Sequence, residues 1–231
     1  MFPDLTRDDV FRIETRRLWL RWPRLQDAQA VARLAHDKDI AEMTGVVPYP
    51  YPKGEAEQFV FEARKNNAMG TMLSFAIVSR SKPDQFMGRI GSRFLGDGPI
   101  LGKSPNLAQN TGGLRRCSLG YWLGKPYWGE GFATEAAHGL IDAIFSYTDM
   151  QEIEAAARVI NPVSRRVIEK CGFQFTGSSM KELPALKGAV PVDTFCLSRS
   201  TWASLKGWRE PRVEIDRPNV NQTVRELAVC R

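Results

Sequence analysis

Two glycines stand two residues apart in Trp128-Gly129-Glu130-Gly131-Phe132-Ala133-Thr134-Glu135-Ala136-Ala137. This run follows the strand-like Leu119-Gly120-Tyr121-Trp122-Leu123 and the turn Gly124-Lys125-Pro126-Tyr127. Strand, tight glycine turn and helix start, in that order, build an anion site. The glycines let the backbone approach a ligand closely, and the free N–H groups and positive dipole end of the following helix attract phosphate oxygens. A pyrophosphate is the guest that suits such a turn.

Around this motif the chain reads as alternating strands and helices. Arg16 to Trp22 alternates in strand fashion, with Leu18 and Leu20 on one face and Trp19 on the other. Ala28, Val31, Ala32 and Ala35 stripe a helix from Leu25 to His36. Pro48-Tyr49-Pro50-Tyr51-Pro52 forces a loop. A second helix spans Glu55 to Asn66 before Gly70; strands follow at Met72 to Val78 and Phe86 to Phe94, joined by a turn at Ser81-Lys82-Pro83-Asp84. Leu95 to Gly113, rich in Gly, Asn, Ser and Pro, reads as a long loop. The third helix runs to about Tyr147 on the stripe Ala136, Ala137, Leu140, Ile141, Ile144 and Phe145. Ile153 to Ile160 is a buried strand. Asn161 caps a fourth helix with Pro162 at its first position, and Gly172 ends it. The last strands are Phe173 to Gly177 and Val192 to Ser198, with a turn or two of helix from Thr201 to Lys206. Residues 1–206 are expected to form one domain and Gly207 to Arg231 a polar extension.

The 231 residues carry a net charge of +6 with both signs interspersed, a balance that fits a solvated basic surface and leaves an anionic ligand or partner open. Cys117, Cys171, Cys196 and Cys230 lie far apart, and none stands with His36 or His138 at metal-ligand spacing, so no metal is expected. The first residues lack the apolar run of a secretory leader, and no stretch reaches membrane-spanning length. A cytoplasmic location is the expectation. The tryptophans read as core and pocket walls, because no basic groove with interleaved aromatics surrounds them; nucleic acid is not an expected partner.

The glycine turn, followed about thirty residues later by Asn161-Pro162-Val163-Ser164-Arg165-Arg166-Val167-Ile168-Glu169-Lys170-Cys171-Gly172-Phe173, resembles the GNAT superfamily of acyl-CoA-dependent N-acyltransferases. More narrowly it is similar to the ribosomal-protein N-terminal acetyltransferases of RimJ/RimL type, through Glu14-Thr15-Arg16-Arg17-Leu18, the Pro48-to-Tyr51 loop and Leu197 to Trp202. The likeness spans roughly Ile13 to Trp202. It implies an α/β fold: a twisted mixed sheet of about seven strands flanked by helices and splayed between its fourth and fifth strands, here Leu119 to Leu123 and Ile153 to Ile160. It implies acetyl-CoA as cofactor, with Trp128, Gly129, Glu130, Gly131, Phe132, Ala133 and Thr134 around the pyrophosphate. Trp128 replaces the family's usual Gln or Arg, so phosphate binding would rest on backbone N–H groups.

The same resemblance directs the chemistry. A backbone N–H near Trp122 or Leu123 would polarise the thioester carbonyl. Asn161 and Ser164 would contact CoA, and Ser164 matches the serine given the acid role in this branch; many relatives carry a Tyr where this chain has Ile168. Ser164 could equally serve the helix start, as Asn161 serves the cap. Glu135 is a weak candidate base, and an acid there is also favoured by the helix dipole. Glu42, Tyr49 and Tyr51 are candidates for the acceptor side. The implied reaction is acetyl transfer to a primary amine by direct attack, a protein N-terminus among the acceptors, with a polyamine, an antibiotic, or a CoA-binding module without turnover as alternatives. An oligomer is left open.

Overall fold

The computed structural model describes Phe2 and residues 4–96, 114–183, 185–186 and 188–206. Most of the long loop read at Leu95 to Gly113 and the whole extension from Gly207 lie outside the described residues. Eight strands join in one sheet: β1 (Arg12–Glu14), β2 (Leu18–Arg21), β3 (Met72–Ser79), β4 (Lys82–Gly96), β5 (Arg116–Leu123), β6 (Glu152–Arg158), β7 (Gln174–Glu182) and β8 (Ala189–Ser198). Their order is β1-β2-β3-β4-β5-β6-β8-β7. Neighbours are antiparallel except β5 and β6, which run parallel. The sheet therefore exceeds the expected seven strands by the short β1, which folds back on β2 through a Thr15 N–H to Leu18 oxygen bond of 2.9 Å.

Helices cover both faces, because residues alternate along each strand. Ile13, Leu20, Phe75, Ile77, Ile90, Leu119 and Ile153 pack on α4 (Phe132–Tyr147), with α5 (Pro162–Lys170) supplying Ile168. Ala76, Val78, Phe86 and Trp122 face the other way, onto α1 (Ala28–Ala35), α2 (Lys38–Thr44) and α3 (Glu55–Ala68). A sixth helix, α6 (Arg199–Lys206), follows β8.

Three local departures from the sequence expectation have physical causes. The helix expected from Leu25 begins as a 3-10 turn at Leu25–Asp27, since the Asp27 carboxylate is drawn back to the Arg24 N–H (2.7 Å) and the buried Arg21 guanidinium (2.8 Å on both arms). The next helix, α2, was not expected: it buries only Ile40 and Ala41, too few for a visible stripe, and depends on Asp37 accepting from the Asp39 N–H (2.9 Å) and on Gly45 at φ 65°. Finally, the β3–β4 turn lies at Arg80-Ser81, and a bulge, with Val78 opposite Phe86 and Ser79 opposite Lys82, absorbs Pro83.

The feature that positions the site is the β5–β6 pair. Partners run from Arg116↔Glu152 to Leu119↔Ala155 and stop, while β5 continues to Leu123 on β4 and β6 continues to Arg158 on β8. The strands thus part beyond Leu119, as the expected splay requires; the additional β1 makes them the fifth and sixth strands. At the joined end the buried Arg116 donates from Nη1 to Glu154 Oε1 across the pair (2.8 Å). Removing one partner of such a pair strands a buried charge, whereas replacing both does not. Glu154→Ala should therefore lower the unfolding free energy by about 3–5 kcal/mol in urea titrations, and Arg116→Met with Glu154→Leu by much less.

Candidate active site

Gly124 donates its N–H to Met87 oxygen (2.9 Å), one step beyond the Gly88↔Leu123 pairing. In an antiparallel ladder the hydrogen-bonded pairs alternate. Trp122 and Gly120 consequently turn their backbone groups toward β4, and Tyr121 and Leu123 turn theirs into the gap between β5 and β6. Of the two expected amides, Leu123 faces the gap and Trp122 does not; the Trp122 ring is buried on the α1–α3 side against Phe86 (centroids 5.8 Å apart). The Leu123 carbonyl is occupied by the Trp128 indole N–H (2.7 Å). That bond gives Trp128 a structural task, tying the glycine turn to the end of the strand.

The turn itself continues through a 3-10 segment, Lys125–Tyr127, into Gly129 (φ 82°), Glu130, Gly131 (φ 77°) and α4. Left-handed glycines on either side of Glu130 curl successive amides toward one side, and the first intrahelical bond is Glu135 N–H to Gly131 oxygen (3.1 Å). Among the described residues no group accepts from the amides of Gly129, Glu130, Gly131, Phe132, Ala133 and Thr134. A cradle of free N–H groups at a helix start fits a pyrophosphate. Arg17, not singled out from the sequence, lies beside it: its guanidinium stacks 4.4 Å over the Phe132 ring, with Nη2 3.6 Å from where a Cβ on Gly131 would sit.

Across the gap, α5 begins at Asn161. Its Oδ1 accepts from the Ser164 N–H (3.0 Å) and its Nδ2 donates to Met43 oxygen (3.2 Å), so the cap also fastens α5 to α2. Ser164 Oγ lies 3.0 Å from the Tyr121 hydroxyl, which also donates to Ser164 oxygen at 3.3 Å. Burial is the larger influence on the Tyr121 phenol and pushes its pKa up, with the Ser164 hydrogen bond opposing. Tyr121 thus brings a neutral phenol to Ser164 from the opposite wall. Ile168, where relatives often carry Tyr, is in the core. The signal for Tyr121 was its position two residues before Leu123 on the same strand face.

Glu135 is engaged elsewhere. One oxygen accepts from Thr15 Oγ1 (2.7 Å) and the Arg17 N–H (2.6 Å), the other from Arg17 Nε (2.6 Å). Burial works to raise its pKa, but the bonds from Thr15 and Arg17 together outweigh it and hold the carboxyl below its ordinary value. On the other sheet face, Glu42 is exposed on α2, and its backbone oxygen accepts from Arg158 Nη1. Tyr49 is half exposed, with its ring 5.5 Å from His36. Tyr51 donates its N–H to His36 Nδ1 (3.3 Å) and packs its ring among the α1–α3 side chains; burial first, then Glu55 and Glu57, push its phenol up to about 12 against the pull of Arg89. The structure therefore collects Leu123, Trp128 to Thr134, Asn161 and Ser164 around the gap. It sets Glu135 behind the glycine turn and Tyr49 and Tyr51 between α1 and α3.

Comparisons with known proteins agree with this geometry. The acetyltransferase (GNAT) domain family matches residues 17–174. The uncharacterized N-acetyltransferase p20 of Bacillus licheniformis is 26% identical over 184 residues, covering 80% of this chain and 93% of that protein. Among solved structures, RimJ of Mycobacterium smegmatis in complex with CoA-disulfide superposes with a TM-score of 0.65 at 21% identity, over 93% of this chain and 99% of the other. The spermidine N-acetyltransferase of Vibrio cholerae with CoA and spermine gives 0.61 at 17%, over 80% and 98%. With more than half of its length inside the family match, and a sheet that parts beside a cradle of free amides, this chain belongs to the GNAT acetyltransferases and is an acetyl-CoA-dependent N-acetyltransferase.

Proposed function

We propose that the acceptor is the α-amine at the amino terminus of a peptide or protein. The observation that supports this most is the commitment of Glu135. Its oxygens serve Thr15 and Arg17, so the candidate base of the glycine-turn motif is occupied as a brace. An α-amine has a reference pKa near 8, so roughly a tenth is neutral at pH 7, whereas a lysine amine near 10.4 is almost wholly charged. Water suffices as proton acceptor for the first and not for the second.

Acetyl-CoA supplies an activated thioester whose sulfur leaves as a weakly basic thiolate. The chain's own residues do the rest. The amides of Gly129 to Thr134, with Arg17 beside them, hold the pyrophosphate. Leu123 N–H, directed into the gap, hydrogen-bonds the carbonyl oxygen as charge develops on it. Ser164 Oγ gives a proton to the departing sulfur as the Tyr121 hydroxyl passes its own to Ser164 and takes one from the water that received the amine's proton, so that no buried serine or tyrosine anion is left. Trp122, its ring buried against Phe86, contributes packing rather than a donor, and Glu42, Tyr49 and Tyr51 are candidates only for outer contacts of the acceptor on that same face of the sheet.

Saturating acetyl-CoA should raise the melting temperature, by the equivalent of about 2.7 kcal/mol at a hundred times its Kd, and serine-initiated peptides should then release thiol. A melting shift with no thiol release from any amine would overturn the transferase mechanism. Ser164→Ala and Tyr121→Phe are each expected to lower kcat while the acetyl-CoA shift persists; an unchanged kcat removes the proton-donor role. Gly131→Asp should abolish the shift, because it strains a left-handed position and sets a carboxylate against the phosphates. Glu135→Gln tests the brace. Since the folded-state pKa of Glu135 lies below the unfolded value, its stabilisation is full above about pH 4.3 and is lost as pH falls through the folded value. The stability gap between wild type and Glu135→Gln in urea should therefore be largest at neutral pH and shrink under acid.

A further inference from the structure

On the α1–α3 face of the sheet, beside the parting of β5 and β6, the floor carries no side chains. Gly91 and Gly120 pair directly across β4 and β5; Gly120 is exposed, and a Cβ there would meet nothing within 4 Å. The same-face pairs that flank them are Arg89 with Trp122 and Arg93 with Ser118, and β3 places Ser74 opposite Gly91 and Met72 opposite Arg93. The two glycines thus leave a strip without side chains across β4 and β5, open at Gly120 and buried beneath Arg89 at Gly91, with Arg89 and Arg93 on its two sides.

Arg89 lies along this strip. Its Nη2 is 3.5 Å from where a Cβ on Gly91 would be and 3.8 Å from Met72 Sδ, Nε is 3.4 Å from Ser74 Oγ, and the guanidinium stands 5.6 Å over the Phe59 ring. Every one of these partners is neutral. Arg12, Arg17, Arg21, Arg116 and Arg165 each meet a carboxylate, yet among the described residues neither Arg89 nor Arg93 forms an ion pair. Burial first, and the nearby Arg93 second, draw the Arg89 pKa down to about 10, partly opposed by Tyr51. The group remains charged at neutral pH. A partly buried cation without an anion is held at a cost in free energy, and an anion delivered by a ligand recovers it.

We infer that Arg89, supported by Arg93, receives an acidic side chain of the acceptor, so that the preferred acceptors are peptide amino termini with aspartate or glutamate at the second or third position. This rests on the reading of the acceptor as an N-terminal amine. The reach sets the position. Arg89 leans from β4 onto β3, which puts its guanidinium roughly 10 Å from the free edge of β5, two strand spacings. One or two Cα steps of about 3.8 Å plus a side chain span that distance; the carboxylate of a free α-amino acid sits too close to its own amine. Of the acids on this face, Glu154, beside Ser118, is held by Arg116; Glu42 is exposed on α2; and Glu55 and Glu57 are exposed at the start of α3 beside Lys53; among the described residues none of them pairs with Arg89 or Arg93.

Three hexapeptide amides, each beginning with serine and differing only in aspartate, asparagine or lysine at positions two and three, test this against spermidine. Thiol release is followed at saturating acetyl-CoA, and binding of each peptide to the CoA-loaded protein is followed by calorimetry. The aspartate peptide should exceed the asparagine peptide by about tenfold in kcat/KM and in affinity, with the lysine peptide and spermidine below both. In Arg89→Gln with Arg93→Gln the aspartate-to-asparagine ratio should fall toward one while the acetyl-CoA melting shift persists. Equal handling of the aspartate and asparagine peptides by the wild type, a preference for spermidine, or an undiminished ratio in the double variant would each overturn the assignment. Charge-blind turnover of all three peptides would overturn it while leaving the N-terminal amine reading intact; spermidine turnover with no peptide turnover would remove both.

Discussion

The site exists because β5 and β6 are hydrogen-bonded over four pairs and then part. A parallel pair inside a sheet ordinarily continues, since every unpaired buried amide costs free energy. Here each strand keeps its outer partner, β4 for β5 and β8 for β6, so only the inner edges are left open. The buried Arg116–Glu154 pair joins the strands at one end, and the Asn161 cap and Arg158 fasten β6 and the start of α5 to α2 at the other. The gap is therefore a fixed opening, with walls held from both sides. Its exposed amides are costly as they stand, and a ligand that accepted from them would recover that cost.

The glycine turn shows a related economy. A cradle of free N–H groups is electrostatically unfavourable until an anion occupies it, and the N-terminal end of α4 adds its own positive potential. Glu135 offsets part of this from behind, through Thr15 and both donors of Arg17, while Arg17 keeps its outer guanidinium edge near Gly131. One carboxylate thus anchors the start of β2 to α4 and orients a cation beside the glycine turn. Trp128, at the position where the resemblance leads one to expect a Gln or Arg donor, instead locks the turn to Leu123. Both residues act on the cofactor side through geometry.

Much of this was legible in the chain, for reasons that differ by element. The glycine turn and α5 announce themselves through short-range rules: φ > 0 at glycine, an Asn cap, a Pro at the first helical position. All three hold at Gly129, Gly131, Asn161 and Pro162. The splay was readable only through the family resemblance, because nothing in Leu119 to Leu123 says with which neighbour each amide pairs. α2 escaped because two buried residues make no period, and the 3-10 start before α1 escaped because it is imposed by Arg21, a tertiary partner. Tyr121 and Arg89 were missed for a common cause. Each sits in a strand read from its apolar neighbours, where a polar residue is absorbed into the alternation; a guanidinium amid Met87, Gly88, Ile90 and Gly91 is the visible anomaly.

Strand alternation also explains how so small a segment serves both reactants. Along Gly120-Tyr121-Trp122-Leu123, the odd positions turn side chains toward α4 and α5, and the even positions turn theirs toward α1–α3. Tyr121 accordingly reaches Ser164 on the α4–α5 face, while Gly120 and Trp122 lie on the α1–α3 face next to Arg89. The amides obey the same period in the plane of the sheet, with Leu123 open to the gap and Trp122 spent on β4. The proposed proton donor, oxyanion donor and acceptor floor are thus three readings of one two-residue period. Because the period is two, no member can shift by one residue without exchanging faces for all of them. The bond from Gly124 to Met87 and the pairing of Gly91 with Gly120 hold that register, which makes the β4–β5 ladder as much a part of the site as the groups it presents.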